Sequence, residues 1–220
     1  MPTSQKAGKS SPRRTRKDPR RESTRLALIE QAETMFGNDG VDAVSLRQIG
    51  VAIGSANDNV VAYHFGDKEA LIEAIFKHRV PAIEARRAEL FAVAIQSGRD
   101  RDLATLIHAL MQPFFEQTNA LGQHSFAAFL ASVSRSTLGR VRLAIDESFP
   151  VTREIVTRIR ASVPKAALPL YDMRWLILIE TTTIALAWID EQGLSDQRRG
   201  ELYFADALRM VTSAISAPVE

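Results

Sequence analysis

From Ser23 to the C-terminus, apolar residues recur at steps of three and four and never alternate along a run. That period places them on one face of a helix and leaves a strand with no consistent inner side. No Asn-Gly or Asp-Gly pair joins two strand-like runs, since Asp39-Gly40 closes a segment of helical period. No repeat with a period of about 20–50 residues interrupts the pattern. The expected fold class is all-α. A chain of 220 residues accommodates one or two domains. It contains no cysteine, which excludes a disulfide scaffold, a thiol nucleophile and a thiolate zinc site. The longest candidate for a membrane span, Trp175 to Ile179, falls far short of the roughly 18 residues required. No apolar stretch follows the basic N-terminus, so a secretory signal is not expected.

Charge is distributed unevenly. The net charge is +2, yet residues 1–25 carry nine Lys and Arg against Asp18 and Glu22. Residues 1–21 are rich in Ser, Pro, Lys and Arg and lack large apolar groups, which predicts a disordered basic arm. Such an arm suits a polyanion or serves simply as a solvated tail.

The pattern predicts a first helix at about 23–37, ended by Asp39-Gly40, and a second opening at Ser45. There Ser45 and Gln48 form a capping-box pair, with Val44 and Ile49 as a hydrophobic staple. Gly50 allows a second helix to approach, and Gly54 ends this one. A brief third helix spans about 57–65. Asp67 caps a long fourth helix, which Pro81 is expected to kink or divide. Further helices are expected at about 102–117, 122–136, 150–162, 168–191 and 197–216.

Two short helices joined at Gly54 have the spacing of a helix-turn-helix, whose second helix enters the major groove. The wider stretch is more specific. It contains Arg25-x-x-Leu28-Ile29-x-x-Ala32-x-x-x-Phe36-x-x-x-Gly40. It continues through Val44-Ser45-Leu46-Arg47-Gln48-Ile49-Gly50 and Ala52-Ile53-Gly54, and ends in Tyr63-His64-Phe65-Gly66-Asp67-Lys68-Glu69-Ala70-Leu71. These segments resemble the TetR family of bacterial transcriptional regulators. The sequence departs from the usual pattern in three places. Ten residues, rather than the usual nine, separate Gly54 from Phe65. Ala62 stands where a tyrosine is common, the aromatic falling at Tyr63, and Gly50 replaces a common alanine. The longer turn implies a late start or a small rotation of the recognition helix.

The resemblance implies a helix-turn-helix DNA-binding domain over residues 22–68 and a helical effector-binding and dimerisation domain over 69–220. Expected DNA-binding residues are Ser45, Arg47, Asn57, Asn59, Tyr63, His64 and Lys68. Ser45 at a helix N-terminus can present its hydroxyl and nearby amides to phosphate, and Arg47 can reach phosphate or a base edge. Asn57 and Asn59 stand where a helix enters the groove, and asparagine pairs with adenine through two hydrogen bonds. Tyr63, His64 and Lys68 match family positions that touch phosphate. Plainer roles stand beside these: Ser45 and Asn57 as caps, Asp58 as a cap or orienting group, and His64 as an interhelical contact.

Residues beyond 80 show no nucleophile elbow, phosphate-binding glycine loop or paired metal-ligand histidines, so neither an enzyme nor a metal or other cofactor is expected. The last two helices are apolar on nearly all sides, which suits a homodimer interface or a central monomeric core. Ile179 and Leu208 are natural positions for such an interface. The resemblance also implies an effector cavity, for which His108, Met111, Gln112, Phe114, Phe115, Phe126, Phe129 and Tyr171 are plausible linings. The functional expectation is a cytoplasmic, nucleoid-associated, ligand-responsive repressor. It would bind an inverted repeat in double-stranded DNA as a homodimer and answer to a small-molecule effector, with no membrane partner. The alternative is a dimeric DNA-bound structural or protein-interaction factor without an effector.

Overall fold

The computed structural model describes residues 19–138, 149–193 and 197–219. Most of the predicted basic arm, residues 1–18, lies outside them. Among the described residues there are nine α-helices and no strand.

Helix α1 spans Pro19–Asp39. It starts four residues earlier than the apolar pattern suggests, taking Arg20 and Arg21 out of the expected arm. Proline suits a first helical turn, and Glu22 sits where the helix dipole favours an acid. The hydroxyls of Ser23 and Thr24 donate back to the Arg20 carbonyl at 3.3 and 3.0 Å, as interior helical residues do. Gly37 does not end α1. It lies inside the helix, where a Cβ would come within 3.0 Å of the Ala128 Cβ and 3.1 Å of the Phe129 nitrogen. Gly40, with φ of 92°, makes the reversal.

Helix α2 spans Leu46–Ala52 and α3 spans Val60–Phe65. The Ser45 capping box forms as expected. At Gly50 a Cβ would meet Val60 Cγ1 at 3.0 Å, so the missing side chain allows the two helices to close. Helix α3 begins three residues later than 57. The Asn57 side-chain oxygen accepts from the Asn59 amide at 3.0 Å, and the Ser55 hydroxyl accepts from the Asn57 amide at 3.1 Å. These local bonds hold the longer linker as a turn.

Helix α4 runs unbroken from Lys68 to Gln96, with Asp67 accepting from the Ala70 amide at 2.8 Å. Pro81 does not divide it. Packing against α1, α5 and α7 (Pro150–Ser162) holds the helix through the missing hydrogen bond. Helix α5 spans Leu103–Glu116, capped by Asp102, and α6 spans Ser125–Arg135. A 3₁₀ turn over Lys165–Leu170, containing Pro169, precedes α8 (Tyr171–Glu191), which therefore starts after 168. Helix α9 spans Gln197–Ser216.

Two apolar clusters organise these helices. The first joins Leu28, Ile29 and Phe36 of α1 with Ile49, Val61, Leu71 and Ile75, and also with Phe126, Phe129 and Val133 of α6. The second gathers α5, α7, α8 and α9 around Leu106, Ile107, Ile159, Leu178, Leu186 and Phe204. The helix-turn-helix thus has no core of its own. Its first helix packs most extensively on α6, across the seam expected at residue 68.

Candidate nucleic-acid interface and interior cavity

Helices α2 and α3 present an exposed face made of Arg47, Asn57, Asp58, Asn59 and Tyr63. Arg47 projects from the solvent side of α2, and its Nη2 lies 3.2 Å from Asp58 Oδ2 in the turn before α3. Both side chains are mostly exposed, at 72% and 60%, so the pair adds little to stability and positions a cation at the entrance of α3. Asp58 makes no cap, because α3 has Asn59 at its N-cap without a side-chain bond. Asn59 is exposed, whereas Asn57 uses its oxygen within the turn and retains its amide NH₂ for other partners. The Ser45 hydroxyl accepts from the Gln48 amide at 3.3 Å and donates to Gln48 Oε1 at 2.7 Å. Its capping role is therefore occupied internally.

Tyr63 is a large aromatic left 65% exposed on α3. Its ring contacts His64 edge-on at 5.2 Å and lies under the Arg21 guanidinium at 5.5 Å. Arg25 sits 5.2 Å from the Phe65 ring. Desolvation, and next the charges of Arg21 and Arg25, hold the His64 imidazole below the usual histidine range. The Lys68 ammonium donates to the Val41 carbonyl at 2.8 Å, tying α4 to the loop after α1. Lys68 therefore braces the domain, and two of its three ammonium hydrogens remain for other acceptors.

The structure thus groups Arg47, Asn57, Asn59, Tyr63 and His64, with Ser45 and Lys68 at the edges committed to internal bonds. Arg21 and Arg25 complete the cationic rim; neither is among the DNA-binding residues expected above, although Arg25 opens the family motif and Arg21 belongs to the expected basic arm. Their i, i+4 spacing on a helix starting at Pro19 is the signal that identifies them.

Behind this domain a cavity of about 500 Å³ lies between α4, α5, α6, α7 and α8. Met111, Phe114, Phe126 and Tyr171 line it, as expected. His108, Gln112 and Phe115 instead line a smaller space against Phe204 and Leu208 of α9, and burial holds His108 below the usual histidine range. Phe129 is sealed in the first core beside Phe36 and Phe76. The cavity between α4 and α8 also takes in Trp175, Arg153, and Arg87, which donates to the Leu110 carbonyl and to the Thr152 hydroxyl at 3.0 and 2.8 Å. Burial pushes the pKa of the Tyr171 phenol up to about 12, and its hydroxyl has no hydrogen-bond partner among the described residues. Among the described residues no group of acids and histidines is placed to hold a metal ion, and no helix is long and apolar enough to cross a membrane.

A family model described as bacterial regulatory proteins, tetR family, matches residues 28–75. That span runs from Leu28 of α1 through α2 and α3 to Ile75 of α4. No curated protein matches the chain. The matched residues coincide with the helices that build the exposed Arg47–Tyr63 face, and the chain carries an N-terminal helix-turn-helix domain of the tetR type, the domain of a DNA-binding transcriptional regulator.

Proposed function

We propose that the protein is a ligand-responsive repressor that binds an inverted-repeat operator as a homodimer. The observation that carries the dimer is an apolar stripe on α8. Met173, Ile177, Ile184 and Trp188 recur on one helical face and are all exposed in the single chain, with Leu202 and Met210 exposed on the adjoining α9. A second copy covering this stripe gives a two-fold axis, and two-fold symmetry matches an inverted repeat. Within each half-site, Arg47, Asn57, Asn59 and Tyr63 meet base edges or phosphates, with Arg21, Arg25, Ser45, His64 and Lys68 on the backbone. An effector in the cavity between α4 and α8 favours a helix arrangement in which the two recognition helices no longer fit successive major grooves. The reading places the protein in the cytoplasm, on the nucleoid.

The test begins with selection of duplexes from a randomised pool, followed by gel shifts across a salt series. Enrichment of a palindrome, bound as two chains per duplex, supports the reading. Sequence-independent binding, or one chain per duplex, overturns it. Small molecules that release the selected duplex distinguish an effector-controlled repressor from a purely structural DNA-bound dimer.

A further inference from the structure

The cavity between α4 and α8 has a definite chemical character. Its walls are mostly aromatic and aliphatic, with Phe76, Phe114, Phe126, Tyr171 and Trp175 surrounding about 500 Å³. That volume suits a small organic molecule, and the rings favour a flat apolar body packed against them. The polar groups in the wall are donors or cations. Arg87 and Arg153 are there, and the lining includes no carboxylate among the described residues. Glu84 lies behind Thr152 and accepts from its hydroxyl and backbone amide. Tyr171 contributes a buried phenol whose oxygen has no partner among the described residues, a rare condition for a buried polar atom. The raised Tyr171 pKa keeps that phenol protonated at neutral pH, so it is a hydrogen-bond donor.

We propose that the cavity takes a flat, apolar, ring-bearing molecule that carries a hydrogen-bond acceptor and no positive charge, with the acceptor meeting the Tyr171 hydroxyl. The inference rests on the reading of this cavity as the effector site and adds the ligand class. A cation is disfavoured because it would lose its water shell in a mostly apolar wall whose charged groups, among the described residues, are the cations Arg87 and Arg153. A wholly apolar molecule fits the rings but leaves the phenol without a partner.

The test uses three probes of similar size: naphthalene, naphthyl methyl ketone and naphthylmethylammonium. Each is titrated into the full-length protein by calorimetry, with no DNA present. The ketone should bind about tenfold more tightly than naphthalene, the value of one added hydrogen bond, and the ammonium more weakly than naphthalene. Tyr171→Phe should reduce the ketone to the affinity of naphthalene while leaving naphthalene itself unchanged. This variant should melt no lower than wild type, because it removes an unpaired buried oxygen. Val156→Phe, which adds bulk to a partly buried wall position, should weaken all three probes. Equal binding of ketone and naphthalene, strongest binding of the ammonium, absence of binding by any probe, or a ketone advantage that survives Tyr171→Phe would each overturn the proposal. A protein that fails to select DNA yet shows the ketone pattern loses the repressor reading and keeps the ligand class. One that selects a palindrome without the ketone pattern does the reverse.

Discussion

Arg79 of α4 grips Glu33 of α1 through two parallel hydrogen bonds, Nε to Oε2 at 2.6 Å and Nη2 to Oε1 at 2.9 Å. Glu33 is fully buried, and the Ser125 hydroxyl of α6 donates to the same Oε1 at 2.6 Å. One carboxylate thus binds the first helix of the DNA-binding region to two helices of the region that holds the cavity. A buried ion pair loses most when one partner is removed, because the other charge is left without compensation. Arg79→Ala should therefore lower unfolding free energy by about 3–5 kcal/mol, and the paired apolar replacement Glu33→Met with Arg79→Leu should recover most of that loss. Denaturant melts of the three proteins check the claim, and equal losses in the single and double variants would contradict it.

Gly37 marks the point where α1 and α6 cross. An added Cβ would stand 3.1 Å from the backbone nitrogen of Phe129, which cannot move without displacing α6. Gly37→Ala should destabilise the protein by about 1–3 kcal/mol, even though alanine is the better helix former. A thermal melt that rises would show that the two helices separate more easily than their packing implies.

On the outer face, Arg47→Ala should weaken binding to a selected operator by about tenfold or more without lowering the melting temperature, since the side chain is exposed and its ion pair weak. Arg21→Ala and Arg25→Ala should weaken specific and non-specific duplexes alike and reduce the salt dependence, as phosphate contacts do. An Arg47→Ala protein with unchanged operator affinity would remove that residue from the interface.

The apolar stripe gives different expectations for inward and outward positions. Ile179 and Leu208, the sequence-based choices for the dimer interface, are both buried within the single chain. They face the second core, so Ile179→Asp and Leu208→Asp should lower stability itself by several kcal/mol, on the order of an uncompensated buried charge. Ile184 is 63% exposed, and Ile184→Asp should leave a folded monomer. Light scattering with circular dichroism separates the two outcomes. A dimeric Ile184→Asp protein would place the interface elsewhere.

His64 links pH to both folding and DNA affinity. Burial, and then Arg21 and Arg25, hold its imidazole below the ordinary histidine range in the free protein. The unfolded chain therefore takes up a proton before the folded one. The stability this group contributes is present above the ordinary histidine pKa of about 6.5 and declines as pH falls toward the lower folded value. A phosphate beside the ring would favour the imidazolium, so operator affinity should rise as pH falls through the same window. His64→Asn should flatten both profiles. An operator affinity that does not change with pH in the wild type would mean that no phosphate approaches the ring.

Much of this protein is local in origin and therefore legible in the chain. The Ser45–Gln48 box, the Asp67 cap and the turn at Gly40 depend on residues within four positions of one another, and all form as their spacing dictates. The family resemblance is equally local, confined to the block that contains the helix-turn-helix. What the sequence leaves open depends on partners far along the chain. Gly37 lies near the end of α1 in the sequence pattern, and its close contact with α6 emerges only when Ala128, ninety-one positions away, is placed against it. Pro81 reads as a kink or a break, yet α4 continues through it, packed against three neighbouring helices. Apolar periodicity assigns Ile179 and Ile184 to the same helix but does not say which faces its own core and which faces outward. Only the packing of α8 against α6 and α9 decides that. The cavity is the strongest case: Phe76, Phe126 and Tyr171 lie on three helices, and whether aromatic rings fill a core or line a space depends on how far apart the helices stand.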